Sequence, residues 1–275
     1  MTASDHGSAR SRALTGKTQG NQNEAQQAAR YRTIGIIGGM GPLATCDFFE
    51  KIIRMTDAAK DCEHIPILID CNPRIPDRVA AILHRGTDPV PEIVKSGKRL
   101  IDAGAEILLM GCNTAYYFYS RVASELSVPL IHMPRETARG AARMGLKKVG
   151  LMATDGTVAS GIYAAELEKA GVKLAVPDAA GQRAVMEMIY DGIKAGNSDI
   201  DPAGFRNAVE QLMAEGAEAV ILGCTELPIA FHLYNINAPW LDPAVFAAEA
   251  AVTMAGGRVR PLSEGSYGSH VGGIN

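Results

Sequence analysis

Short apolar runs rich in β-branched residues alternate along the chain with longer amphipathic stretches. The stretches between the runs, such as CDFFEKIIRMTDAA and GIYAAELEKAG, favour helices. Near-continuous apolar runs of this length are typical of strands in a parallel sheet that is covered on both faces. The pattern therefore predicts an α/β fold. The predicted strands are TIGIIG, IPILID, EILLMG and PLIHM in the first half, and KVGLMA, KLAVP and EAVILG in the second.

The two halves of the chain repeat each other. The segment GAEILLMGCNTA at 104–115 returns as GAEAVILGCTEL at 216–227, which places Cys112 over Cys224. A second pair, TIGIIGGMGPLAT from Thr33 and KVGLMATDGTVAS from Lys148, matches at almost the same offset. Two matches at nearly one spacing indicate a duplicated domain. We therefore predict two pseudo-symmetric, doubly wound parallel-sheet domains with the active site in the cleft between them.

The repeat also suggests where the domains begin and end. We assign 31–130 and 230–262 to the first domain, because the last helical stretch, DPAVFAAEAAVTMAGG, has no counterpart in the second copy. The second domain is predicted at 131–229. Residues 1–30 and 263–275 are rich in small polar residues, and we expect a flexible extension and a flexible tail.

Composition narrows the class of protein. The chain has 275 residues and a net charge of −3, which argues against nucleic acid as a partner. It contains no apolar run near the ~18–20 residues of a membrane helix, so no membrane partner is expected. Its five cysteines are odd in number and lack C-x-x-C spacing, which favours neither disulfides nor a metal site. A reducing, cytoplasmic location and a small-molecule partner fit best.

Two of the cysteines are predicted to face one cleft. Parallel sheets bind ligands at the carboxyl ends of their strands, where Cys112 and Cys224 both lie. A helix that begins after each thiol would lower the thiol pKa. One thiolate and one thiol on opposite sides of a carbon can remove a proton from one face and deliver one to the other. Such chemistry inverts a stereocentre without a cofactor.

Other residues receive plainer interpretations. Cys46 and Cys71 are predicted to be small core residues, and Cys62 with His64 makes a poor metal pair. Glu226 is interpreted as a capping residue at a helix start rather than as a catalytic group. The turn GGMGP, with Met40 at its centre, is expected to shape the cleft wall.

The motifs GGMGP, NPRIPDR, GCNTA, MPRETA, ATDGTV and LGCTELP resemble those of the aspartate/glutamate racemase family, most of all its aspartate racemase branch. The likeness runs from about Thr33 to about Met254. It implies an amino-acid racemase that is independent of pyridoxal phosphate, has two α/β domains and is commonly a homodimer. It also implies that Cys112 and Cys224 are the two acid/base groups.

The resemblance extends to substrate-binding residues. Arg78 and Lys194 match residues that hold substrate carboxylates, and a bidentate arginine with a lysine suits an amino acid that carries two carboxylates. Asn113, Thr114 and Thr225 match the motif residues beside the thiols. The expected reaction is racemisation of an acidic amino acid, aspartate first. Tyr116 replaces a histidine that the family often has, which leaves the fine specificity open.

The sequence is also compatible with three alternative functions. Glutamate or a broader range of amino acids is the nearest variant. The run from Gly39 to Ala44 partly fits the G-x-G-x-x-G/A fingerprint, and Asp70 ends the next strand, so a dinucleotide-binding protein is a weaker possibility. A small-molecule-binding protein without catalytic activity would use the same cleft.

Overall fold

The computed structural model describes residues 31–260, so the predicted flexible segments 1–30 and 263–275 lie outside the described residues. The strands follow the apolar runs closely, and the central runs at 34–38, 107–110 and 219–222 are buried throughout. In chain order the strands are β1 Ile34–Gly38, β2 Ile67–Cys71, β3 Ile107–Met110, β4 Lys148–Met152, β5 Lys173–Ala175, β6 Ala219–Leu222 and β7 Trp240–Leu241.

Helices connect the strands and cover the sheets. In chain order they are α1 Pro42–Met55, α2 Arg78–Ile82, α3 Val90–Asp102, α4 Tyr119–Ala123, α5 Met133–Arg143, α6 Asp155–Ser160, α7 Ile162–Lys169, α8 Ala179–Glu187, α9 Ala203–Ala214, α10 Leu227–Leu233 and α11 Pro243–Met254. A 3₁₀ turn covers Thr114–Phe118, and a π-helical turn covers Met188–Lys194. Within residues 31–260, no helix has the length and apolar character needed to cross a membrane.

The strands form two parallel sheets of matching order. The first has the order β2-β1-β3 and the second β5-β4-β6-β7. The first sheet is extended beyond β3 by a single parallel bridge between Leu108 and Leu130, at the place that β7 fills in the second. This common order confirms the prediction of two pseudo-symmetric parallel α/β units, in which β3 corresponds to β6.

The observed strands differ in two details from those predicted from the apolar runs. PLIHM does not form a strand: it pairs through Leu130 alone, and His132 already caps α5. The short strand β7, which the pattern missed, keeps the chain in the second sheet as far as Leu241. The chain therefore leaves that sheet later than the boundary predicted at residue 230.

The last helix spans both units. Alanine and valine side chains of α11 lie in the core of the first sheet, including Val245, Ala248 and Val252, as predicted for this helix. Its Phe246 lies instead in a core of the second unit and fits against Gly140 of α5. A Cβ atom at Gly140 would lie 2.2 Å from that ring, so the two helices require glycine there. Helix α11 thus joins the two halves.

A buried ion cluster fastens the start of α11 to α1. The Lys51 ammonium contacts Asp47 one turn earlier and lies 3.0 Å from the carboxylate of Asp242. Lys51 is 1% exposed and Asp242, which caps α11 through the Ala244 N–H, is 6% exposed. Burial acts to lower the pKa of Lys51, but the two carboxylates outweigh it and raise that pKa. Lys51 therefore stays charged.

Candidate active site

The equivalent strands β3 and β6 end in equivalent ways. The Gly111 N–H donates to the Ile37 carbonyl at 3.0 Å, and the Gly223 N–H donates to the Met152 carbonyl at 2.8 Å. The next residue in each half is the cysteine of the repeated motif. Cys112 and Cys224 are both buried, and both line one pocket between the two units.

All of the predicted site residues meet at this pocket. Besides the two cysteines, its wall contains Met40, Arg78, Asn113, Thr114, Lys194 and Thr225. The cavity holds about 20 Å³. That is room for about one water molecule, which is less than an amino acid occupies.

The GGMGP turn forms one wall. Gly39 has φ of 87°, and its N–H donates to the Thr45 hydroxyl at 2.9 Å. A Cβ atom at Gly39 would lie 2.3 Å from the backbone carbon of Asn72, so this close approach requires glycine. The turn buries Met40 against the pocket.

Cys224 is paired with an acidic residue. Its thiol lies 2.9 Å from the carboxylate of Glu226, which also accepts from the Thr225 hydroxyl at 3.2 Å. The second carboxylate oxygen of Glu226 lies 2.7 Å from the Lys194 ammonium. Burial and the adjacent Glu226 charge raise the pKa of Cys224 well above its ordinary value, although Lys194 acts in the opposite direction. The predicted lowering of this thiol pKa by a helix start is therefore wrong, because desolvation dominates.

The position of Glu226 corrects a second prediction. Glu226 precedes α10, but its side chain makes no capping hydrogen bond. It is 8% exposed and turns toward Cys224 and Lys194 in the pocket. The capping interpretation is wrong, and Glu226 belongs to the site.

Arg78 faces the other thiol. Its guanidinium donates to the carbonyls of Ile75, Pro76 and Met40, at 3.2, 3.0 and 3.3 Å, and these bonds fix its orientation. Burial acts to lower the pKa of Arg78, but the charge of Cys112 and a hydrogen bond with it raise that pKa. The buried Nε atom has no hydrogen-bond partner among residues 31–260. It is a donor available to a ligand.

Three threonine hydroxyls link the two units beside the pocket. Thr114 lies two residues after Cys112 in the first unit. Its hydroxyl is 3.1 Å from that of Thr154 and 2.9 Å from that of Thr157 in the second. The hydroxyls of Thr154 and Thr157 are 3.0 Å apart, which completes a buried triangle. The neighbouring Asn113 receives a hydrogen bond from Tyr163 of α7.

Sequence reasoning missed five wall residues: Asp77, Val79, Thr154, Tyr190 and Glu226. The sequence contained a signal for two of these residues, Thr154 and Tyr190. The second repeat match places Thr154 opposite Gly39, and Tyr190 lies one helical turn before Lys194, whose ammonium is 5.7 Å from the Tyr190 ring centre. Burial and the nearby Asp77 charge raise the pKa of Tyr190 to about 12, so it is a neutral hydroxyl in the wall.

Several other residues lie away from the pocket. Tyr116 is buried and its hydroxyl contacts the backbone of Met110, so it has a packing role in the loop that carries Cys112. Asp70, the residue of the dinucleotide fingerprint, lies 2.5 Å from Arg99 in an ion pair.

The three other cysteines are not core residues. The prediction for Cys46 and Cys71 is wrong: Cys46 lies on the solvent side of α1, and Cys71 ends the edge strand β2. Cys62 is also exposed. No group of His, Cys, Asp or Glu side chains suited to a metal ion occurs in the described part of the chain.

The molecule is thus a duplicated parallel α/β protein in which each half contributes a cysteine to one pocket. The family model described as Asp/Glu/Hydantoin racemase matches residues 37–251. The chain therefore belongs to the Asp/Glu/hydantoin racemase family and is an amino-acid racemase, an isomerase that acts on amino acids.

Individual relatives agree with this family. The structure of Picrophilus torridus aspartate racemase is similar, with a TM-score of 0.72 and 32% identity over 83% of this chain and 96% of that one. The broad specificity amino-acid racemase RacX of Bacillus subtilis is 27% identical over 80% of this chain and 96% of its own length. A glutamate racemase of Limosilactobacillus reuteri is 30% identical over 55% of this chain and 57% of its own.

Proposed function

We propose that the chain interconverts L- and D-aspartate by moving protons between the α-carbon and two cysteines, with no cofactor. One observation carries the proposal: Cys112 and Cys224, from equivalent strand ends of the two units, line one pocket together with Arg78 and Lys194. The pocket thus combines two acid/base groups with two cations.

Racemisation requires a balanced pair of proton transfers. The thiolate of one cysteine takes the α-hydrogen as a proton, and the bond electrons remain on the α-carbon and its carboxylate. The thiol of the other cysteine then gives its proton to the opposite face. After one turnover the first cysteine is a thiol and the second a thiolate. Proton exchange with solvent then restores the original protonation states.

The surroundings of Cys224 support a protonated resting state. Cys224 donates toward the carboxylate of Glu226, and a donor must carry its hydrogen. In the resting enzyme Cys224 is accordingly the acid.

The cations support an acidic substrate. Arg78 has a donor without a partner among residues 31–260, and Lys194 is 30% exposed at the same pocket. Aspartate presents two carboxylates, and each can find one cation there. The likeness to an aspartate racemase along most of both chains supports aspartate in particular.

A broader amino-acid range is the second candidate. The match to RacX, which covers 80% of this chain, favours it. Arg78 alone can hold the α-carboxylate that all amino acids share. Rates for aspartate, glutamate and neutral amino acids, measured side by side, distinguish the two candidates.

The test is incubation with L-aspartate in deuterated water, followed by chiral separation and mass measurement. We expect D-aspartate that carries one deuterium at the α-carbon, with full activity after treatment with a carbonyl reagent that removes pyridoxal phosphate. Absence of both products with aspartate, glutamate and neutral amino acids would exclude racemisation. Loss of activity after the carbonyl reagent would exclude the cofactor-free mechanism.

Matched cysteine variants test the two-thiol mechanism. Cys112→Ser and Cys224→Ser should each lower racemisation by at least about 100-fold, the usual contribution of a positioned acid or base. Cys71→Ser, which replaces an exposed cysteine, should retain activity. A single-cysteine variant that keeps the parent rate contradicts the mechanism. The homodimer and the cytoplasmic location stay predictions, and light scattering of the purified protein tests the first.

A further inference from the structure

Among the described residues, the side-chain amide of Asn113 has a hydrogen-bond partner at its oxygen but none at its nitrogen. Asn113 lines the pocket directly beside Cys112 and is 2% exposed. Its Oδ1 atom accepts the hydrogen bond of the Tyr163 hydroxyl, at 2.5 Å. Its Nδ2 atom is buried and has no hydrogen-bond partner among the described residues. A buried N–H group without a partner is costly, and a ligand in the pocket can supply the acceptor.

Tyr163 reaches this amide from the other half of the molecule. It belongs to α7 of the second unit, is fully buried and packs in a core with Leu167 and Leu151. The hydroxyl has one hydrogen, which goes to Oδ1. Because burial raises the pKa of Tyr163 well above its ordinary value, the hydroxyl keeps that hydrogen at neutral pH. The amide is therefore held in one of its two orientations.

We infer that Tyr163 is a positioning residue that turns the Nδ2 group of Asn113 toward a carboxylate oxygen of the bound amino acid. Tyr163 does not line the pocket and acts through Asn113. Without the hydroxyl, the amide can rotate by half a turn and present Oδ1, which repels a carboxylate. This inference rests on the proposed function, because it takes an amino acid as the ligand of the pocket.

The contact also links substrate binding to the packing of the two units. Asn113 follows a strand of the first unit, whereas Tyr163 lies on a helix of the second. The amide has its binding orientation only when the units are closed against each other. A motion that separated the units would break this hydrogen bond and release the amide.

The experiment compares steady-state kinetics with L-aspartate for the parent and for Tyr163→Phe, which removes only the hydroxyl. We expect KM to rise about tenfold, the effect of one net hydrogen bond, with a smaller change in kcat because the contact is present before and during reaction. Tyr119→Phe is the matched control: it removes a hydroxyl that donates to the Leu130 carbonyl away from the pocket, and KM should not change.

A double-mutant cycle shows whether Tyr163 acts through the amide. Asn113→Ala should raise KM, and adding Tyr163→Phe should then raise it no further. An unchanged KM in Tyr163→Phe, or an equal rise with and without Asn113, would overturn the inference.

If Tyr163→Phe does not fold, the variant Asn113→Asp replaces it, because aspartate keeps the acceptor oxygen and loses the amide donor. A parent-like KM in Asn113→Asp overturns the inference. If the parent itself fails to racemise any amino acid, the proposed function fails instead.

Discussion

The thiol of Cys224 donates a hydrogen bond to the carboxylate of Glu226, two residues later in the chain, over 2.9 Å. Lys194 holds the other carboxylate oxygen at 2.7 Å. An anion and a cation therefore act on one thiol in opposite directions. This arrangement offers a way to shift the thiol pKa up or down by single substitutions.

The pKa of Cys224 should fall in Glu226→Gln and rise in Lys194→Met. Glutamine removes the negative charge that disfavours the thiolate, whereas methionine removes the positive charge that favours it. The measurement is thiolate absorbance against pH in a background whose other four cysteines are serine. Shifts of the same sign in both variants would contradict the assignment of these two charges.

Gly39→Ala should destabilise the protein more than Gly145→Ala does. Both glycines have positive φ, so alanine costs about 1–2 kcal/mol at either position. A Cβ atom at Gly145 meets no atom of the described residues within 4 Å, but at Gly39 it meets the Asn72 backbone, which adds roughly 1–3 kcal/mol of overpacking. Urea denaturation measures both, and equal losses would show that the turn can move away from Asn72.

Lys51→Met should lower the free energy of unfolding by about 3–5 kcal/mol, because it leaves the buried Asp242 without its cation. Lys98→Met is the control: its pair with Glu125 is exposed, and its loss should cost less than about 1 kcal/mol. Adding Asp47→Asn and Asp242→Asn to Lys51→Met should restore part of the loss. A triple variant less stable than Lys51→Met would mean that the carboxylates have other roles.

His132 should make stability depend on pH. Its Nδ1 atom accepts from the Arg135 N–H and caps α5, which requires an unprotonated ring nitrogen. Burial, together with the Arg135 charge, lowers the pKa of His132 to about 4, below the ~6.5 of an unfolded chain. The unfolded state therefore binds more protons, and stability falls as pH decreases from about 6.5 to 4. The full loss is at most about 3 kcal/mol, and solvent at the partly buried ring reduces it.

The substitution His132→Asn tests this dependence. Asparagine keeps a capping acceptor and does not titrate, so the variant should lose less stability than the parent between pH 7 and pH 4.5. Between pH 7 and pH 8 the two proteins should respond alike. Urea midpoints at these pH values provide the comparison, and parallel curves throughout would contradict the role of His132.

The sequence was informative where the physical signal is periodic or duplicated. The apolar runs predicted β1 through β6, and the repeat predicted that Cys112 and Cys224 share a site, because equivalent positions of two like units meet across the cleft. The turn around Met40 was predicted from its glycines.

The remaining features depend on contacts that no local pattern encodes. Glu226 directly precedes a helix, which in the sequence suggests a capping residue. Only its contacts with Cys224 and Lys194 show that its side chain points into the pocket instead. Tyr163 is linked to Asn113 across 50 positions of sequence. Leu130 and β7 pair through one or two residues, fewer than periodicity can detect.

The place of α11 in the chain has a consequence for biosynthesis. Its side chains complete the apolar core of the first sheet, yet residues 243–254 are the last helix of the described chain to be synthesised. While the ribosome makes the second sheet, the first already exists with part of one face uncovered beside α1. The nascent chain must keep that part of the face from aggregating until residues 243–254 have been made, and a nonsense codon shortly before residue 243 would yield a product in which it stays exposed.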